Sequence, residues 1–343
     1  MGNSSKLSTK ITCENIGSKF SSFSIIIEWE NFVQSDARHA SLMLQNLSKQ
    51  INQISKKFSS KSEIIVVFNP KDVDSVLVKK FVEDNFSFLP LVDFKFIPGF
   101  GLHYYELKNL GVKHSSNDLI IFFDSDVTPE DGWLEEMLQS FQNPDIKVVG
   151  GTTHMPNDSI MGKALALVWF TPRKSKYNKL FEVDHFYANN VAFRRKVCQS
   201  HPFPQINQFH GQCNIVADKL RKSGFKIFSQ PKSRIIHDVP QNAKDFVSWA
   251  LTMGLDYVAI RRLRNVTWSS GLEQYKFKNS TVRQLISRSR QRLHYSSLKS
   301  KDYPAATFIV LSYFIIMGIG MMISFVRPNY YSYIRKNNWK MWT

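Results

Sequence analysis

A chain of 343 residues, 43% hydrophobic and 13% aromatic, can bury a sizeable core and divides naturally into one large domain plus an appendage. Its formal net charge of +17 draws it to polyanions, whether nucleic acid, anionic lipid or nucleotides. Three cysteines at unrelated spacings, Cys13, Cys198 and Cys213, exclude a disulfide framework and a zinc cluster, which fits a reducing compartment.

The opening MGNSSKLSTK has no apolar stretch of the signal-peptide kind, and residues 1–22 read as a disordered, Ser- and Lys-rich tail. The fold is expected to begin at Ser24-Ile25-Ile26-Ile27, a short apolar run ending in Glu28-Trp29-Glu30-Asn31. A helical face follows through Ala40, Met43, Leu44, Leu47, Ile51 and Ile54. Ile64 to Phe68 reads as a second buried strand, leading into Asn69-Pro70-Lys71-Asp72, and Phe94 to Ile97 as a third. Strands alternating with helices predict an α/β fold with a doubly wound sheet.

Leu119 to Phe123 is long enough for a buried parallel strand and too short for an independent helix. Asp124 and Asp126 follow at once, where Pro129 and Gly132 end the regular strand; in an open α/β sheet this is the ligand edge. Carboxylates so close repel each other unless a cation or several donors lie between them, and a divalent ion carrying a diphosphate supplies that charge. A solvated turn is the plain alternative for Asp-X-Asp alone. The apolar strand before it and the helical pattern Leu134, Met137, Leu138 and Phe141 after it favour the ligand reading.

With Lys108-Asn109-Leu110-Gly111 upstream, the stretch IIFFDSDVTPEDGWLEEML resembles the central signature of the family 2 glycosyltransferases, which have the GT-A fold. The resemblance runs roughly from Ser24 to His237. It implies sugar transfer from a nucleoside diphosphate sugar with inversion, assisted by Mn²⁺ or Mg²⁺. It assigns Glu28, Asn69, Lys108, Asn109, Asp124 and Asp126 to the nucleotide sugar, and Asp126 with His237 to the metal. Phe186 to Arg195 is similar to the family's acceptor-side segment, which gives Asn189 and Asn190 to acceptor hydroxyls. Departures accompany the likeness: the second strand lacks the usual Asp-Asp-Gly-Ser ending, leaving Asn69 or Asp72 as substitutes. Gln212-Cys213 occupies the place of the Glu-Asp pair that carries the general base. A thiol is a poor replacement for that carboxylate unless its pKa is lowered. The base is therefore open among Asp184, His185, His210, Cys213 and Asp218.

Beyond His237 the chemistry gives way to a membrane signal. Phe246, Trp249, Ala250, Met253, Tyr257 and Ile260 recur at helical spacing, and from Arg261 to Lys301 a basic stretch contains one acid, Glu273. Pro304 to Val326 carries no charge and is long enough to cross a hydrocarbon core. Arg327, Arg335, Lys336 and Lys340 answer the basic flank before it, so loop charge gives no orientation, and Gly318 and Gly320 leave a re-entrant anchor open beside a single pass. Because activated nucleotide sugars are cytosolic, the catalytic domain is expected there too. The expected organisation is a tail (1–22), a GT-A domain (23–240), a basic amphipathic membrane-surface segment (241–303), a transmembrane helix (304–326) and a basic aromatic tail (327–343). The expected partners are a donor nucleotide sugar, a lipid-linked or cell-envelope polysaccharide acceptor and a membrane. Nucleic acid is not expected, since no nucleic-acid motif accompanies the charge. The rival reading is a membrane-tethered relative without activity, suggested by Cys213.

Overall fold

The computed structural model describes residues 22–33, 37–57, 61–87, 90, 92–170, 178–206, 208, 210–268, 292–293, 297–328 and 330. The expectations for the tails, for Cys13 and for most of the basic stretch between 269 and 291 fall outside these residues.

The elements run β1 (Phe23–Glu28), α1 (Ala37–Ile54), β2 (Ser62–Phe68), α2 (Ser75–Asn85), β3 (Val92–Pro98), α3 (Tyr104–His114) and β4 (Leu119–Asp124). They continue through β5 (Val127–Pro129), α4 (Trp133–Gln139), β6 (Val148–His154), α5 (Ile160–Leu165), β7 (Phe181–Val183), β8 (Asn190–Arg194) and α6 (Arg195–Ser200). α7 (Gln212–Lys222), β9 (Ile227–His237), α8 (Ala243–Trp268) and α9 (Tyr303–Val326) complete the described chain.

The strands form one mixed sheet in the order β3-β2-β1-β4-β8-β6-β9-β5, with β7 on β9. β3, β2, β1 and β4 are parallel, and their near-continuous Ile, Val and Phe runs are what a sheet covered on both faces requires. β8 enters antiparallel between β4 and β6. α1, α2 and α4 cover one face through Leu44, Leu47, Ile51, Val82 and Met137. α3, α6 and α7 cover the other through Leu107, Val112, Val197, Val216 and Leu220. A third cluster, with Leu165, Phe246, Ala250 and Tyr313, joins α5, α8 and α9.

One local feature adds to the sequence reading and another differs from it. The stretch containing Lys108 and Asn109 lies inside a helix, α3, opened by reciprocal bonds between His103 and Glu106. The chain after Asp126 resumes as β5 rather than staying irregular, and pairs antiparallel with β9 so that Val127 faces His237. The helix α9, in the run Ser300–Val326, is long and apolar enough to cross a membrane by length and composition.

Candidate active site

Parallel pairing of β1 with β4 sets Glu28 beside Asp124 at the carboxyl edge of the sheet. Both are buried. Asp124 is neutralised on two sides: Lys108 Nζ reaches Oδ1, and the Tyr104 hydroxyl donates to Oδ2 at 2.5 Å. Lys108 also lies over the Tyr104 ring, 4.5 Å from its centre. Burial, followed by the charge of Asp124, pushes the Tyr104 phenol well above its ordinary range, so it stays a donor. Glu28 accepts from the Glu30 backbone N–H at 3.1 Å through Oε2, and its buried Oε1 has no partner. Burial and then Asp124 raise its carboxyl well above the usual carboxylate range. Glu30 in turn accepts from the Tyr104 backbone N–H and pairs with His103 Nδ1 at 2.9 Å, tying β1 to the start of α3.

Asp126 reaches the site by a different route. The β5–β9 pairing carries it to His237, whose Nε2 lies 3.6 Å from its Oδ2. Its Oδ1 is buried without a hydrogen-bond partner. Burial raises the Asp126 carboxyl, with His237 opposing and Asp124 adding to the rise. His237 Nδ1 contacts the Asp238 carbonyl at 2.8 Å, which places a proton on Nδ1 and leaves Nε2 as the nitrogen that faces Asp126. Asp238 pairs with His39 at 2.6 Å, and burial, then Asp126, lifts its carboxyl to about 6. A carboxylate with Oδ1 unpartnered and an imidazole nitrogen 3.6 Å from its Oδ2 fits a divalent cation. Among the described residues no group of three or more His, Cys, Asp or Glu gathers to hold a metal by itself. Trp169 and Phe170 pack on the His237 ring at 5.2 and 5.1 Å, and Trp169 packs against Trp249 of α8 with ring centres 3.8 Å apart and the planes tilted by 52°.

Several expected site residues are engaged otherwise. Asn109 exchanges both amide bonds with the Phe203 backbone, at 2.8 and 3.1 Å, and so pins α3 to the loop before α7. Asn190 accepts from Trp133 Nε1 at 2.8 Å and donates to the Ser233 and Thr152 carbonyls. Both amide hydrogens and one lone pair of its oxygen are thus engaged within the fold. Asn189 accepts from Thr153 at 3.0 Å and is buried. Asn69 accepts from the backbone N–H groups of Lys71 and Gly101, bracing the loop after β2.

The candidate bases are dispersed. Asp184 and His185 are exposed, and Arg221 lies between Asp184 at 3.7 Å and the buried Asp218 at 2.5 Å. Cys213 opens α7 hydrogen-bonded to Tyr105, and burial pushes its thiol up, away from thiolate character. His210, just before α7, binds Asp256 of α8 through Nδ1 at 2.7 Å and through its backbone N–H at 2.9 Å. Sequence reasoning missed Tyr104, Glu30 and Asp256, since each gains its role only from an element distant in sequence. The run His103-Tyr104-Tyr105-Glu106 was the available signal for the first.

Residues 43–201 match the model described as glycosyl transferase family 2. Over 157 residues the chain is 22% identical to the pre-mycofactocin glycosyltransferase of two Mycobacterium tuberculosis strains, a match covering 41% of this chain and 31% of each relative. The chain thus spans about a third of the length of these curated relatives. Among solved structures, the mannosyltransferase PcManGT from Pyrobaculum calidifontis, in complex with GDP-Man and Mn²⁺, aligns with a TM-score of 0.55 at 14% identity, covering 89% of this chain and 88% of that one. The shared architecture is the GT-A mixed α/β sheet.

Proposed function

We propose that this chain, a glycosyltransferase whose residues 43–201 match family 2, moves a sugar from a nucleoside diphosphate sugar to a hydroxyl of a lipid-linked or polysaccharide acceptor, with inversion. The observation that carries this reading is the pair of carboxylates at the sheet's ligand edge in two different electrostatic states. Asp124 is neutralised by Lys108 and Tyr104, while Asp126 keeps its Oδ1 without a hydrogen-bond partner and sets its Oδ2 3.6 Å from His237 Nε2. Asp124 and Glu28 would receive the nucleoside, with Asn69 bracing the neighbouring loop. Asp126 and His237 would hold Mn²⁺ or Mg²⁺, in keeping with the Mn²⁺ and GDP-Man of PcManGT. When bound, that ion neutralises charge on the departing diphosphate.

For the proton of the acceptor hydroxyl, His210 is the best supported base. Asp256 engages its Nδ1, which orients Nε2 to accept a proton, whereas burial opposes ionisation of Cys213. The acceptor oxygen attacks the anomeric carbon as the bond to the diphosphate breaks, and the proton passes to His210. A membrane attachment through the C-terminal helices would suit a lipid-linked acceptor, with the catalytic domain on the cytosolic side. The raised Cys213 thiol, in the place of a family carboxylate, favours one second reading, a tethered relative without activity.

The test is release of nucleoside diphosphate from UDP-, GDP- and dTDP-sugars by the full chain, with polyprenyl phosphate or polysaccharide supplied as acceptor. Acceptor-dependent release from one donor is expected. No release with any combination supports the inactive relative.

A further inference from the structure

The apolar helix α9 has two opposite faces with different partners. Ala306, Tyr313, Gly320 and Ser324 are buried on one side. A Cβ on Gly320 would strike the Leu251 carbonyl of α8, and one on Gly254 of α8 would strike the Met317 carbonyl, so the two helix backbones touch directly. On the other side Phe308, Leu311, Ile315, Ile319, Met322 and Phe325 form one exposed row at spacings of three or four residues.

The position of α8 fixes that of α9. α8 is held to the glycosyltransferase domain at points well separated along its length: Trp249 packs against Trp169, Asp256 binds His210, and Ile260 packs on Gly211. From Trp249 to Ile260 is a rise of about 16 Å, so α8 lies along the domain rather than projecting from it. α9 runs parallel to α8, with Tyr313 at Trp249 (5.4 Å) and Arg262 donating to the Ser324 and Phe325 carbonyls at 3.1 and 3.2 Å. Its start is fastened to α5 by Lys163 and Asp302 at 3.3 Å. A helix held this way could cross a bilayer only by detaching from α8, or by drawing Asp256, Arg262 and the domain loops into hydrocarbon.

We propose that α9 lies in the membrane plane, one face on α8 and the exposed row immersed in a single leaflet of anionic lipid. The uniform apolarity of α9 then has two causes, a protein core on one side and acyl chains on the other. The charge pattern agrees. Lys299 and Lys301 precede α9 and Arg327 follows it, and the sequence from Arg261 to Lys301 has the single acid Glu273. Cations at both ends leave a crossing helix without orientation, but they suit a helix whose two ends meet the same headgroup layer. The inference concerns attachment alone and stands independently of the sugar-transfer reading.

The test uses the full chain on vesicles of phosphatidylcholine with phosphatidylglycerol. Fluorophores are placed by Phe308→Cys, Ile315→Cys and Met322→Cys in a Cys13→Ser, Cys198→Ser, Cys213→Ser background, and read with lipids brominated at graded depths. A second measurement keeps the native cysteines and asks which side of sealed vesicles exposes epitope tags before Met1 and after Thr343. Equal shallow quenching at the three positions, both tags on one side, and weaker binding to phosphatidylcholine alone are expected. Deepest quenching at Ile315, tags on opposite sides, or no vesicle binding would each overturn the proposal.

Discussion

Lys108 Nζ and Asp124 Oδ1 form an ion pair almost completely withdrawn from water, with side-chain exposures of 0% and 2%. The lysine projects from α3 onto the last residue of β4, so the first carboxylate of the Asp-X-Asp stretch carries its counter-ion within the fold. Removing one partner strands the other charge: Lys108→Met is expected to cost about 3–5 kcal/mol of stability. Combining it with Asp124→Leu should recover part of that loss. Urea unfolding of the two single variants and the double variant reads the coupling, and strictly additive losses would refute it.

Glu63 stitches together the opposite end of the parallel strands. It accepts from Ser24 of β1 at 2.5 Å, from the Ser116 backbone at 2.9 Å, and from Lys95 of β3. Burial alone would raise its carboxyl, but these bonds outweigh that effect and hold it at about 2. The folded value lies below the unfolded value of about 4.3, so the stabilisation is complete above that pH. It is lost as pH falls toward about 2. Glu63→Gln should therefore be less stable than the parent at neutral pH, with the difference shrinking on acidification. Denaturant unfolding across a pH series checks this, and a constant difference would count against it.

Asn190 is expected to behave as a structural residue. Asn190→Ala leaves Trp133 Nε1 and two carbonyls without their partner, a loss of about 1–3 kcal/mol for the first unsatisfied group. Thermal unfolding should register the change. An unaltered stability with a raised acceptor KM would return the residue to acceptor binding.

Cys213 and His210 separate in kinetics. Removing a general base costs about 10²–10⁴-fold in turnover. His210→Ala is expected to fall in that range, with Asp256→Asn intermediate, while Cys213→Ala falls below it. Steady-state kcat for the three variants decides, and a full loss in Cys213→Ala with an active His210→Ala would reverse the assignment.

How much the sequence disclosed follows from what each residue depends on. The buried strands were legible because Ile25 to Ile27, Ile64 to Phe68 and Leu119 to Phe123 are apolar without interruption, which only a doubly covered sheet accommodates. Asp124 and Asp126 were legible because strand end and carboxylates are adjacent in sequence. The pairing of Asp126 with His237 came from the family resemblance alone, and the burial of Lys108 on Asp124 was not legible, because Lys108 reaches Asp124 from a helix and His237 reaches Asp126 through an antiparallel strand 111 residues later in the numbering. Asn109 and Asn190 illustrate the reverse: an amide beside a motif looks like a ligand until its backbone partners are known. For α9, composition could count apolar residues but could not tell the side packed on α8 from the exposed one.

The most direct test of the donor site is calorimetric titration of the full chain with UDP-, GDP- and dTDP-sugars, with and without Mn²⁺ or Mg²⁺, beside Asp126→Ala. Binding of one nucleotide sugar that requires the metal and disappears in Asp126→Ala is the predicted result. Binding that is indifferent to both metal and Asp126, or no binding of any donor, would contradict the account.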